Sequence, residues 1–466
     1  MLYSPRTLSL LDWFKTGPDA PPRFAETPTD AKPEYLRKQW KIIITLIIGY
    51  SFFYTCRLSL SVAKKPMLDA GVLTIDEAGL MGSALFFTYA FGRFTNGFLS
   101  DHANIRRFMA LGLFVSALIN IALGLTTGAF FFIVLWGING WFQSMGSAPS
   151  AVSIFQWFSP KYRGSRYSTW AGSHNIGEGI TFVVTSSVVA AWGWRSGFIV
   201  PGVLCILVAL GIFMFHEDRP ATLGLPTPPE AFDEPPEEKT KAKSVGTFRA
   251  QLGVLRSPIV WVIGAACASM YVSRYAINSW GLLFLQETKG YTLVDSGFAM
   301  GAYPIMGLVG AVLSGIISDK LFRSDRQLPT FVFGLCNLGG MALLFFGPES
   351  RAIDALALGI FGFGIGGLVV FLGGLTAAEL ISKKAVGAVK GFIGLFSYLA
   401  ASAQEYLSGV LIDVTGVGNS LEYDFGPAIA LWMGAGVLSM VLAASVPVVV
   451  RAVRRTANGD DAPAGA

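Results

Sequence analysis

Charge is scarce in this sequence. Of 466 residues only 14% are Asp, Glu, Lys or Arg, against about 25% in an ordinary water-soluble domain. So few charges cannot cover a water-facing surface on a chain of this size. Histidine and cysteine are scarce too, with three and four copies. His102, His174 and His216 lie far apart, and no metal-ligand spacing is present. Cys56, Cys205, Cys267 and Cys336 stand singly in apolar stretches and read as small packing residues, not as a disulfide framework. The absence of a phosphate-cradling P-loop argues against ATP-driven work. No catalytic set is visible, so neither an enzymatic activity nor a cofactor is expected. The net charge of +5 does not indicate nucleic acid, because the basic residues are scattered over short loops.

What the chain has instead is apolar length. Hydrophobic residues make up 53% of it, and runs of ~20 residues, the length that crosses a bilayer, recur from Trp40 to Val450. The 54 glycines suit helices that pack closely in a membrane. Hydropathy places spans at 41–63, 77–99, 107–125, 128–153, 165–190, 197–215, 257–285, 296–317, 329–346, 352–376, 388–412 and 427–450. The expected fold is all-α and membrane-embedded, with twelve transmembrane helices in two six-helix pseudo-symmetric bundles.

The organisation follows. Residues 1–40 form a polar, proline-rich tail, 41–215 the first bundle, 216–256 a linker, 257–450 the second bundle and 451–466 a C-terminal tail. The linker contains PTPPEAFDEPPEEKTKAK, a composition that reads as unable to bury a core. With the N-terminus inside, most loop Lys and Arg residues are cytoplasmic. Only Lys64, Lys65, Arg195, Lys289 and Arg351 face the other side. Both termini are therefore expected in the cytoplasm, and the protein in the inner membrane.

The halves repeat. Gly97-Phe-Leu-Ser-Asp101, followed by Arg106 and Arg107, ends span two. Gly315-Ile-Ile-Ser-Asp319, followed by Lys320 and Arg323, ends span eight, 218 residues later. Arg57 in span one and Arg274 in span seven are 217 apart. Lys161-Tyr-Arg-Gly164 and Lys384-Ala-Val-Gly387 precede spans five and eleven. Such a duplication implies a site between the halves, near the middle of the membrane.

Arg57 lies ~24 Å along span one at 1.5 Å per residue, well inside a hydrocarbon core ~30 Å thick. Arg274 has nearly the same depth. An unpaired arginine there costs about 2.5–3.5 kcal/mol on insertion scales. Its fork of donors matches phosphate oxygens, and it stays charged. Two facing arginines suit a dianion. The alternative is that each pairs with Glu178 or Glu405, or reaches outward.

The loop after span two resembles the signature of the major facilitator superfamily, and a second copy stands at the right offset. A narrower resemblance covers almost the whole chain from Tyr35 onward. Tyr54-Thr-Cys-Arg57, Tyr89-Ala-Phe-Gly-Arg93-Phe, Asn139-Gly-Trp-Phe-Gln143, Ser173-His174-Asn-Ile-Gly177, Gly193-Trp-Arg195, Tyr271-Val-Ser-Arg274 and Glu287-Thr-Lys-Gly-Tyr291 are similar to motifs of the organophosphate:phosphate antiporters. Those proteins exchange glycerol 3-phosphate, hexose 6-phosphates or phosphoglycerates for inorganic phosphate. Pro201-Gly-Val-Leu-Cys205 and Leu223-Gly-Leu-Pro226 most resemble the hexose-phosphate branch. That branch holds a membrane sensor of external glucose 6-phosphate as well as carriers. The chain departs from the pattern where Glu178 and Glu405 replace small residues and Arg93 replaces a lysine. The departures leave the phosphate reading intact and the exact substrate open.

The resemblance implies that His174 contacts substrate phosphate and that Arg93 adds positive charge to the pocket. The alternative for Arg93 is a helix-end arginine reaching the interface. Glu178 follows His174 by four residues and shares its face, where it would raise the proton affinity of the imidazole or simply lock the helix. Tyr271 and Asn278 flank Arg274 by a turn each. Trp280, Tyr303 and Tyr398 are candidate cavity residues, and Gln404 and Glu405 candidate selectors of the organic part. Lys64 and Lys65 read chiefly as anchors at the outer end of span one. Asp101 with Arg106 and Arg107, and Asp319 with Lys320 and Arg323, read as gate elements. The expected function is exchange of a phosphorylated sugar for inorganic phosphate across the lipid bilayer. The alternatives are a sensor that signals to a histidine kinase, and a proton-coupled organic-anion carrier using His174 and Glu178.

Overall fold

Local signals start each helix where the sequence permits one. A computed structural model describes residues 13–235, 256–322, 326–375, 386–415 and 422–458. Span one, Lys32–Asp69, opens with Pro33 in its first turn, where a missing N–H is harmless. Span two, Ile75–Ser100, opens on a capping box: Thr74 accepts from the Glu77 N–H, and the Glu77 carboxylate accepts from Thr74. Asn104 caps span three, Ile105–Leu125, and Thr292 caps span eight, Leu293–Leu321. Spans six, Ser196–Phe215, seven, Pro258–Glu287, nine, Gln327–Phe346, and twelve, Gly426–Asn458, are continuous. Span ten is Arg351–Val370 followed by a π turn, Phe371–Leu375. Span eleven is Val386–Leu411. A two-stranded antiparallel ribbon, Asp413–Thr415 with Glu422–Asp424, connects it to span twelve.

Spans four and five, expected as single helices, are broken. Span four consists of Ala129–Gln143 and Ser147–Trp157. At the break the Ser144 hydroxyl donates to the Trp141 carbonyl at 2.7 Å, a back-bond that bends helices. Span five consists of Pro160–Ala171, Ser173–Ile180, a π turn at Thr181–Thr185, and Ser186–Trp192. Thr181 back-bonds to the Gly177 carbonyl at 2.8 Å just before that turn. Among the described residues eight helices are long and apolar enough, by length and composition, to cross a membrane. The other four spans, two, four, five and eleven, are either broken or hold polar residues such as Arg93, Glu178 and Glu405.

The two six-helix units meet through span one on seven, two on eleven, and five on eight. They come into close contact at the end away from the linker. A Cβ on Gly79 would sit 2.8 Å from the Glu405 carbonyl oxygen and 2.9 Å from the Gly409 Cα, so only glycine allows this approach. One helical turn deeper, the hydroxyls of Ser83 and Ser402 are 2.9 Å apart.

The tail and linker differ from expectation. Residues 13–31 and 216–235 fold together against the linker-side end of the first unit. The buried Asp218 carboxylate accepts from the Gly17 and Ile105 N–H groups, each at 3.3 Å. The Trp157 indole donates to the Asp218 carbonyl at 3.0 Å, and Phe232 packs edge-on against Tyr35. Thus Phe232 and the prolines around it do bury surface. Residues 236–255, which hold Lys239, Lys241 and Lys243, lie outside the described residues.

Candidate functional site

Two copies of Tyr-x-x-Arg, Tyr54–Arg57 and Tyr271–Arg274, bring arginines from the two halves into one buried centre. Arg57 is 3% exposed. Its guanidinium carbon lies 4.5 Å from the Tyr54 ring centre and 4.2 Å from that of Tyr89. None of its three side-chain nitrogens meets an acceptor in good hydrogen-bonding geometry. Ring faces shield the charge but leave the N–H fork free.

Arg57 is held in place from behind. The Asn120 and Asn139 amides both donate to the Cys56 carbonyl, at 3.1 and 3.2 Å. Ser116 bonds Asn139 and accepts from Gln143, each at 2.6 Å. This network fixes the backbone one residue before Arg57. Asn139 and Gln143 belong to a motif noted in the sequence; their positioning role was not legible there. On the other side, the Ser51 hydroxyl donates to the Ser173 carbonyl at 2.8 Å. A Cβ on Gly177 would lie 2.2 Å from the Ser51 carbonyl oxygen, so glycine sets how closely span five approaches span one.

Arg274 has different company. It donates to Glu178 Oε1 at 3.0 Å and to the Tyr303 hydroxyl at 3.2 Å. Glu178 is fully buried, and its second oxygen lacks a partner. Here the expectation of a His174–Glu178 pair is corrected. His174 Nδ1 bonds the Ala171 carbonyl at 2.5 Å, and its ring packs 5.6 Å from Tyr54. Packing of span five against the second half outweighs the i, i+4 relation within the helix. His174, Arg274 and Tyr303 line one small cavity with Gly307 and Ile365.

Tyr398 joins the sites. Its ring contacts Tyr89 at 4.4 Å and Tyr271 at 5.4 Å, and Arg93 lies over it at 5.5 Å. The Asn278 amide is buried with neither atom bonded in good geometry. The structure therefore groups Arg57, Arg93, His174, Glu178, Tyr271, Arg274, Asn278 and Tyr398. Tyr89 and Tyr275 were not singled out. Tyr89 precedes Arg93 by one helical turn, a signal that was available.

Lys64 and Glu405 form a second buried pair, 4.0 Å apart and each 1% exposed. Lys64 also donates to the Ser279 carbonyl at 3.0 Å and stands 3.3 Å over the Trp280 ring. It is thus a cross-half contact and not an interfacial anchor. Lys65 pairs with Glu287 across the same seal.

At the linker-side end Asp101 is exposed and makes no ion pair among the described residues. Arg107 donates to the Trp13 carbonyl at 2.6 Å, and Arg106 to that of Phe213. Lys320 is exposed. The Asp319 side chain and Arg323 lie outside the described residues.

The profile of the Major Facilitator Superfamily matches residues 46–404. The chain belongs to this superfamily. Among curated proteins, the membrane sensor protein UhpC of Escherichia coli is 34% identical over 402 residues, 84% of this chain and 90% of its own. A probable hexose phosphate transport protein of Chlamydia pneumoniae is 35% identical, covering 81% and 87%. The glycerol-3-phosphate transporter of Bacillus subtilis is 32% identical, covering 87% and 92%. A bacterial homologue of the human lysosomal transporter Spinster, solved inward-facing and unoccupied, superposes with a TM-score of 0.72 at 14% identity, covering 92% and 99%. The nucleoside transporter NupG superposes at 0.63 and 14%, covering 88% and 98%. This superfamily member is a multi-pass membrane protein, and two of these three curated relatives are named for transport of a phosphorylated small molecule.

Proposed function

We propose that this facilitator exchanges a phosphorylated sugar, a hexose 6-phosphate such as glucose 6-phosphate, for inorganic phosphate by alternating access. It would do so in the inner membrane, with both termini cytoplasmic. The observation that carries the reading is the Arg57 guanidinium, buried with no acceptor in good hydrogen-bonding geometry, in a centre to which the other half contributes a second buried arginine, Arg274. A phosphate dianion supplies the missing acceptors in fork geometry. Arg57 takes it from one half and Arg274 from the other, so occupancy draws the halves together. Tyr271, Asn278 and Tyr398 supply donors and ring faces for the sugar. His174 would bond the phosphate through Nε2, a role supported by its Nδ1 already bonding the Ala171 carbonyl.

Under this orientation the seal at Gly79 and Gly409 is on the outside. A second reading is favoured by likeness to the sensor protein: the same site would detect external hexose phosphate and signal to a kinase. The proton-coupled alternative loses its proposed relay, since Glu178 bonds Arg274 and not His174. The deciding test is uptake of labelled phosphate into phosphate-loaded proteoliposomes with a panel of sugar phosphates outside. A carrier shows rapid exchange, competed best by its own ester. A sensor binds the ester with little flux.

A further inference from the structure

The two arginines are pseudo-symmetric in sequence and asymmetric in company. Arg57 rests between tyrosine faces with its fork empty. Arg274 already holds a carboxylate, at 3.0 Å, in a fully buried ion pair. That carboxylate belongs to Glu178 of the first half, whereas Arg274 belongs to the second. The bond therefore spans the two halves, as a bound phosphate would. The Glu178 carboxylate also lies beside the Asn278 side chain and within electrostatic reach of Arg57.

Exchange is obligatory when the empty carrier cannot change face. In a site with two bare arginines, closure without an anion sets like charges against each other in a dry interior. Glu178 removes one of those charges, and the Tyr54 and Tyr89 rings cover the other. We propose that Glu178 stands in for the substrate on Arg274, so that the empty carrier changes face and the protein carries phosphate-ester dianions one way as well as in exchange. The idea rests on the exchange reading above. The arriving dianion meets Arg57 first, because that fork is free. It then displaces Glu178 from Arg274, and on release Glu178 returns. Glu178 is also a competitor for substrate, so it weakens binding while it loosens coupling.

The test measures labelled hexose 6-phosphate uptake into proteoliposomes that are either empty or loaded with phosphate. For the wild-type chain, uptake into empty vesicles proceeds at about a tenth of the exchange rate or faster. In Glu178→Gln the ratio of net uptake to exchange falls by about tenfold or more, the effect of ~1.4 kcal/mol on the empty step. The half-saturating phosphate concentration falls as well. The ratio does not depend on how much protein is active, so a merely structural role would leave it unmoved. Wild-type exchange with no net uptake overturns the inference without need of the variant. An unchanged ratio in Glu178→Gln overturns it too. Neither exchange nor net uptake of any phosphate ester would instead remove the exchange reading beneath it.

Discussion

Arg57 and Arg274 carry one charge each, but the fork is what a phosphate uses. Lysine at either position keeps the charge and loses the paired donors. A lost charge-assisted hydrogen bond is worth about 1.5–3 kcal/mol, so Arg57→Lys and Arg274→Lys should each weaken phosphate binding by about tenfold or more. Equilibrium binding to detergent-solubilised protein, with an unchanged elution profile, measures it. Tyr89→Ala should also weaken the site, because it uncovers one face of Arg57, whereas Tyr89→Phe should behave as wild type. The arginines were legible from their depth in apolar spans and their matched offset. Of their partners, Glu178 stood only as an alternative for either arginine, which the structure bears out for Arg274 alone, and the ring faces around Arg57 were not legible. Sequence spacing pairs Glu178 with His174 along one helix. The structure pairs it with Arg274, because span five packs on the second half. Lys64 is a parallel case: its position at a helix end suggests an anchor, and only its burial against Trp280 and Glu405 shows otherwise.

At the scale of elements, hydropathy located all twelve spans but could not register their breaks. Ser144 and Thr181 look unexceptional in sequence. Their back-bonds bend the chain where spans four and five pass the site. The folded segment after span six was masked by its prolines, which read as linker and yet cover Tyr35 and Trp157. It contains His216, fully buried, with Nε2 3.1 Å from the Ser153 hydroxyl. Burial, with the nearby Arg106 charge, lowers its pKa from 6.5 to about 3. The unfolded segment therefore binds a proton that the folded one refuses between those values. The stabilisation is complete above pH 6.5 and declines as pH falls toward 3. From pH 7 to 5 the loss should be at most about 2 kcal/mol. It is readable as faster proteolysis of residues 216–235 in the wild type, with a flatter profile in His216→Gln.

For the molecule as a whole, the duplicated Gly-x-x-Ser-Asp loops announced two related halves, whereas the face on which they close is a property of packing alone. Two sets of charges stand at opposite ends. At the sealed end Lys64 and Glu405 are buried together, and Lys65 meets Glu287. At the linker end Asp101 is exposed and meets no basic partner among the described residues. If Asp101 meets basic loops only when that end closes, then Asp101→Asn should leave the present state untouched and weaken the other. Its shift would be modest, since exposed pairs contribute about 0.2–1 kcal/mol. Glu405→Gln should act in the opposite direction and more strongly. It takes the carboxylate from Lys64 and leaves the ammonium only the Ser279 carbonyl and the Trp280 ring, where losing one partner of a buried pair costs up to about 3–5 kcal/mol, and opening the seal lets water relieve it. The measurement is thiol labelling, from the outer side, of a cysteine placed at Ser402 beneath the seal. Labelling should rise in Glu405→Gln and fall slightly in Asp101→Asn. The double variant should lie between them, because the two ends share no partners and their effects on one equilibrium add. Shifts of the same sign would mean that these charges do not oppose each other across the alternating-access equilibrium.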